Sequence, residues 1–129
     1  MQRQQRQGLS LMELMIALII VAIVAGMAYP TYQKMVARAK QTEAKTILKA
    51  IYMGQDLYKT SNQVYADKLE KLDMQIPGDT RYSYSVTVNA NKTAFTARAL
   101  ANIDSDPAMD EWTINQDNTL ANRVNDALE

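Results

Sequence analysis

The chemistry open to this chain is carried by its carboxylates. It contains no cysteine and no histidine, which removes thiol nucleophiles, imidazole acid–base catalysis and the common Cys/His zinc sites. Two carboxylate arrangements stand out. Glu13 is the single charge in an apolar run covering residues 9–29, and a carboxylate within such a run costs roughly 2.5 to 3.5 kcal/mol on insertion scales, so its presence implies a partner. Near the other end, Asp104, Asp106, Asp110 and Glu111 share one loop and offer the hard oxygen ligands that calcium takes. Their spacing begins like an EF-hand, but the sixth position is Met109 instead of Gly and the twelfth is Asn115 instead of Glu. A plain acidic loop is therefore the competing reading. No convergent polar pocket is suggested by residues 82–129, so nothing points to an enzyme.

The elements that must position these groups follow from periodicity. As a helix, residues 9–29 are long enough to cross a hydrocarbon layer about 30 Å thick. Arg3 and Arg6 precede the run with no acid nearby, which places that end in the cytoplasm and the remainder across the membrane. The helical period continues beyond it: Ala44, Ile47, Leu48, Ile51, Gly54, Gln55 and Tyr58 form one stripe, with lysines on other faces. Pro30 lies inside this pattern, and a bend is expected between Gly26 and Pro30 because proline removes a donor and crowds the preceding turn. The helix is expected to end at residues 60–62, after about 50 residues and roughly 75 Å.

The remaining residues read as a small antiparallel sheet. Asp67-Lys68-Leu69-Glu70 has capping-box spacing and predicts a short helix over 68–72. Residues 76–79 are a turn. Strict alternation over 82–88 predicts a strand with Tyr82, Tyr84, Val86 and Val88 on one face. A second strand is expected over 93–101, a third over 111–115 with Trp112 and Ile114 facing inward, and a short fourth over 119–122. The apolar face of this sheet and the helical stripe containing Ile47 and Ile51 are each other's natural cover. The fold class is α+β, with the second half of a long helix packed on the sheet.

Charge is segregated although the chain is formally neutral. Residues 30–59 hold six basic and two acidic residues, whereas residues 102–129 hold one basic and seven acidic. A basic stem and an acidic lobe can attract one another between copies, or both can be solvated faces.

Gly8-Leu9-Ser10-Leu11-Met12-Glu13-Leu14, preceded by a short basic leader and followed by an apolar helix ending at Tyr29-Pro30, resembles the class III signal of type IV pilins and their pseudopilin relatives. The resemblance is specific over residues 6–30, and the later order of helix, loop and sheet agrees with it. It implies three regions: a leader, 1–8; the membrane-spanning and filament-core half of the helix, 9–30; and a periplasmic or extracellular pilin domain, 31–129. It also implies cleavage by a prepilin peptidase between Gly8 and Leu9 and N-methylation of Leu9, a position where the family more often has Phe.

By the same resemblance, the Leu9 ammonium of one copy meets Glu13 of a neighbour and sets axial register, and Gly26 and Pro30 mark a weak point of the helix. Assembly then produces a homopolymeric helical filament, served by machinery in the inner membrane, from a single-pass precursor. The function implied is that of a type IV pilus subunit in adhesion, motility or DNA uptake. Its alternatives are a pseudopilin of type II secretion and a minor pilin that primes assembly. No organic cofactor is implied; calcium in the acidic loop is the one candidate, as in the C-terminal loop of major pseudopilins. Stem lysines contacting DNA phosphates, and tyrosines stacked for electron transfer, compete with a solvated helix face and ordinary core packing.

Overall fold

The computed structural model describes residues 8–104 and 106–127. Its backbone is one long helix followed by four strands: α1 (Leu11–Asn62), β1 (Ser83–Val88), β2 (Phe95–Ala101), β3 (Asp110–Asn115) and β4 (Leu120–Val124). The chain divides into two compact units, Met1–Gln33 and Lys34–Glu129. The leader, with Arg3 and Arg6, lies outside the described residues apart from Gly8.

Helix α1 starts where its sequence caps it. The Ser10 hydroxyl accepts the Glu13 amide at 3.1 Å, and the Leu14 amide donates to the Ser10 carbonyl, so one of the orphan donors of the first turn is satisfied. Helical structure runs unbroken through Pro30. It stops after Asn62, where Gln63 adopts a left-handed conformation and its amide closes onto the Lys59 carbonyl, a C-terminal closure of the kind that stops helices.

In the second unit, α1 buries Ala37, Gln41, Ala44, Leu48, Ile51 and Gln55. These recur at alternating steps of four and three, one face of a 3.6-residue period. The sheet is a meander in the order β1-β2-β3-β4, antiparallel throughout. Its central strand β2 presents Phe95, Ala97, Ala99 and Ala101 to the core, all buried. Three alanines in a row let a helix approach closely, and the larger Leu48, Ile51 and Ile114, none of them measurably exposed, fill the space. Phe95 closes one end against Tyr65 and Tyr52, with ring centroids 4.9 and 6.4 Å apart. Phe95 and Tyr65 belong to the core, and Tyr52 packs against it.

Gln55 sits on the buried stripe because its amide is fully used: it accepts from the Ala66 amide and donates to the Ala66 carbonyl, each at 2.9 Å. It imitates a strand partner and fastens the connecting segment to the helix. That segment corrects one expectation. Residues 69–71 form a single 3-10 turn, and its N-cap, Lys68, makes no side-chain capping bond. Asp67 is instead occupied by Lys71 and Lys92 at 2.5 and 3.0 Å, which draw its oxygens away from the amides a cap would need.

Strand limits also shift for a local reason. β2 begins at Phe95, two residues later than its alternation suggests, because the Asn89 side-chain oxygen holds the Thr93 and Ala94 amides in the turn. β4 extends to Val124 through a register irregularity opposite Glu111 and Trp112, where one strand carries an extra residue.

Candidate functional site

In the first unit the site is the helix itself. Leu11, Met12, Leu14, Met15 and Ile16 are all at least half exposed, and the most apolar stretch of α1 buries nothing inside the chain. Glu13 lies in the first turn, where a carboxylate is favoured by the helix dipole. Among the described residues no cation lies within ion-pair distance of it. The Ser10–Glu13 cap is a feature that the sequence reading passed over, although Ser-x-x-Glu before an apolar run is its signature. Leu9, Gly8 and Gly26 are exposed, and a Cβ at either glycine would meet no neighbouring atom.

The acidic residues divide into two groups. Asp110, with no measurable exposure, accepts from Gln41 Nε2 at 2.8 Å, Tyr82 Oη at 2.7 Å and Trp112 Nε1 at 2.7 Å, and from the Asp126 amide at 3.2 Å. A buried carboxylate is tolerable when donors surround it in this way. The hub ties α1, the residue preceding β1, β3 and the chain following β4 into one network, and Gln41 extends it to Asn125 at 2.9 Å. Burial, followed by the hydrogen bond to Asp110, pushes the Tyr82 phenol well above its ordinary range. Glu111 lies on the other face of β3 and pairs with Arg98 through both oxygens, at 2.7 and 3.1 Å. Asp110 and Glu111 therefore do not join the expected calcium set. Alternation explains why: one step back from the inward residues Ile114 and Trp112 puts Asp110 inside and Glu111 outside.

The group that does converge is Asp104, Asp106 and Asp126, each offering one oxygen, all within 4.8 Å of one another. Oxygens bound to calcium lie about 2.3–2.6 Å from the ion, so two on one coordination sphere are at most about 5 Å apart. Asp126 is only 2 % exposed. One of its oxygens accepts the Ile103 amide at 3.2 Å, and the other has no hydrogen-bond partner among the described residues. Burial foremost, then the carboxylates of Asp104, Asp106 and Asp110, raise the Asp126 carboxyl above its usual range, against the pull of the Ile103 amide. The donor set and the orphaned buried oxygen fit a hard cation. Asp126 was not recognisable in sequence, because only the return of β4 brings it to the loop at 104–106.

The stem lysines are engaged by the sheet side of their own chain. Lys40 donates to the Ile103 carbonyl at 2.6 Å, Lys45 lies 4.5 Å over the Trp112 ring, and Lys49 reaches Asn118 at 2.7 Å. On the outward sheet face, a shallow open depression of about 490 Å³ is lined by hydroxyls, by the Arg98–Glu111 pair and by Arg123. It has no nucleophile activated by a neighbouring base.

A capped, exposed apolar helix feeding a helix-on-sheet domain defines a pilin-like structural subunit, not an enzyme. Known proteins agree. Residues 3–29 match the prokaryotic N-terminal methylation motif, and residues 30–110 match the model described as type IV minor pilin ComP, DNA uptake sequence receptor. The chain belongs to that type IV pilin family. It is 37 % identical over 86 residues to the type IV major pilin protein PilA of Myxococcus xanthus, covering 67 % of this chain and 39 % of the relative. It is 34 % identical over 80 residues to the type II secretion system core protein G of Pseudomonas aeruginosa, covering 62 % of this chain and 56 % of the relative. A type IV pilin from Shewanella oneidensis shares the fold, with a TM-score of 0.52 at 19 % identity, over 66 % of this chain and 90 % of that one.

Proposed function

We propose that this chain is a structural subunit of a type IV pilus. Residues 9–29 hold it in the membrane, a prepilin peptidase cuts between Gly8 and Leu9, and the trimmed chain polymerises through the same helix. The observation that carries this reading is the apolar segment: it leaves its side chains exposed, a surface that water does not tolerate and that a bilayer or a bundle of like helices covers. Within such a bundle, the Leu9 ammonium of one copy and Glu13 of the next gain several kcal/mol at about 4 Å and an effective dielectric near 20, while either alone is costly. Register follows from that pairing. The orientation, with the leader in the cytoplasm, rests on Arg3 and Arg6.

Imaging cells for long surface fibres labelled through this chain tests the proposal. Glu13→Gln is expected to insert in the membrane yet yield few fibres; normal yield would remove the register role. Labelled complexes confined to the envelope would favour the pseudopilin alternative, to which the match with secretion protein G lends weight. The match to a DNA uptake receptor family favours DNA uptake among pilus functions and makes a minor, assembly-priming subunit the variant to test.

A second reading concerns calcium. The orphaned oxygen of buried Asp126 beside Asp104 and Asp106 supports a cation that neutralises the cluster and fastens the loop before β3 to the chain after β4. With no disulfide available, such a clip would stabilise the domain by mass action.

A further inference from the structure

β1 is an edge of the sheet, with β2 on one side of it and no strand on the other. Just past β1 the ladder continues in the same register, the Asn89 amide donating to the Ala94 carbonyl at 3.1 Å. Bonded and non-bonded pairs alternate along an antiparallel ladder. Thr87, Ser85 and Ser83 therefore bond β2, and Tyr84, Val86 and Val88 turn their main-chain N–H and C=O groups to the free edge. Among the described residues, none of those groups has a hydrogen-bond partner.

Edge strands are usually guarded by a charge, a proline, a bulge or a covering segment. β4, the opposite edge, carries Arg123 and a register irregularity. β1 reads Ser-Tyr-Ser-Val-Thr-Val, with neither charge nor proline, and its register is unbroken. The connecting segment passes alongside without sealing it: a shallow open depression of about 540 Å³ lies between Lys68, Leu69 and Glu70 and the strand residues Tyr84, Ser85 and Val86. The core side of β1 is incompletely covered as well. Phe95, Ala97 and Ala99 of β2 are buried, whereas Tyr84, Val86 and Val88 are only half-buried.

We propose that this edge pairs, antiparallel, with the same edge of a second copy about a two-fold axis through Val86. The axis sets Val86 against its own mate and Tyr84 against Val88 of the other copy, so every free N–H and C=O of these residues finds a partner. On the core side this makes aromatic–β-branched pairs, and on the outer side Ser85 meets Thr87; both are favourable cross-strand combinations. A two-fold contact also brings each charge toward its own copy, so a strand that pairs with itself does best uncharged, as β1 is and β4 is not. The axis is normal to the sheet and reverses every direction within it, including that of the helix half packed on it. The contact is therefore not the repeat of one filament: it joins two filaments lying side by side in opposite directions. That consequence rests on the filament reading, and the strand pairing itself does not. A single strand pair is a small contact, but it recurs along both filaments and gains by avidity.

The chain has no cysteine, so introduced thiols report without background. Opposed Ser85 and Thr87 form a non-bonded pair with Cα atoms about 4.5 Å apart, inside disulfide range, whereas two copies of the same position are diagonal at about 7–8 Å, outside it. In one arm, full-length Ser85→Cys and Thr87→Cys chains are mixed in detergent micelles and oxidised. In the other, filaments of each variant are assembled separately, mixed and oxidised. Mixed disulfides at least about tenfold above those of either variant alone are expected in both arms. Their absence from both would overturn the pairing, and their presence in micelles alone would overturn the joining of filaments. Better coupling of Ser85→Cys to Arg123→Cys than to Thr87→Cys would give the edge to β4 and refute the two-fold contact. Absence of filaments from the unmodified chain would overturn the filament reading and leave the micelle arm to decide the pairing. Ser85→Lys should lower side-by-side bundling, read by light scattering, at least about tenfold, and mixing with Thr87→Glu filaments should restore it, because these positions oppose one another. Bundling that ignores Ser85→Lys would refute the proposal.

Discussion

Asp110 is the residue whose replacement should cost this domain most per atom changed. Three side-chain donors, from Gln41, Tyr82 and Trp112, lie within 2.8 Å of its oxygens, and the Asp126 amide lies at 3.2 Å. Asp110→Ala leaves these donors buried and unsatisfied, at about 1–3 kcal/mol each. Because they share one site their losses do not add fully, and about 4–6 kcal/mol is expected in total. Against a typical domain stability of about 5–15 kcal/mol, that removes between about a third and all of the reserve. Asp110→Asn is the sharper test. One of its two polar atoms becomes a donor, so it faces either the Tyr82 and Trp112 donors or the Gln41 and Asp126 donors. Its cost should be about 2–3 kcal/mol. Tyr82→Phe removes one donor and leaves the carboxylate bound by Trp112, for about 1–2 kcal/mol. Urea titration of the full chain in detergent micelles, followed by the fluorescence of the single tryptophan, Trp112, reads all three, because its indole N–H belongs to the network. If Asp110→Asn changes stability by less than about 0.5 kcal/mol, the hub does not organise this core.

Three further outcomes follow from the structure. Calcium should raise the melting temperature of the chain; Asp126→Asn should abolish that rise while Glu111→Gln keeps it, and a rise that survives Asp126→Asn would place the ion elsewhere. Lys71 and Lys92 hold the Asp67 carboxyl well below the usual range, so its stabilisation is complete above the unfolded value near pH 4 and lost as pH falls toward the folded value. Asp67→Asn should therefore flatten the acid limb of the stability profile between about pH 4 and 2 and leave a small effect in high salt; an unchanged limb would show the pairs to be idle. In assembled filaments, amides just before Pro30 should exchange faster than those around Leu48, because Pro30 lacks the amide that would close the preceding turn and Gly26 adds backbone freedom. Equal protection would remove the weak point.

Much of this protein is legible from spacing alone. The apolar run with Glu13, the stripe through Leu48 and Ile51, and the alternation of β1 are periodic signals, and period alone tells helix from strand and inside from outside. The pilin motif at residues 8–14 is similarly local. The Ser10 cap and the inward position of Asp110 were also written in the sequence, the first as Ser-x-x-Glu and the second as one more step of the β3 alternation. Both ask that a polar residue be read by its position as well as its type.

Other features depended on residues distant in sequence. Asp126 meets Asp104 and Asp106 only because β4 runs back beside β3, and no spacing along the chain encodes that encounter. Asp67 abandons its expected cap because Lys92, 25 residues away, reaches it across a turn. Lys40, Lys45 and Lys49 look like a solvated basic face until the sheet engages them. By itself the sequence determined the periodic elements, the signal at residues 8–14 and the lone acid at Glu13, since these depend on neighbours within a few residues. The tertiary structure decided which carboxylates are buried, which are paired and which converge, because the energy of a charge is set by what the fold brings within a few ångströms of it.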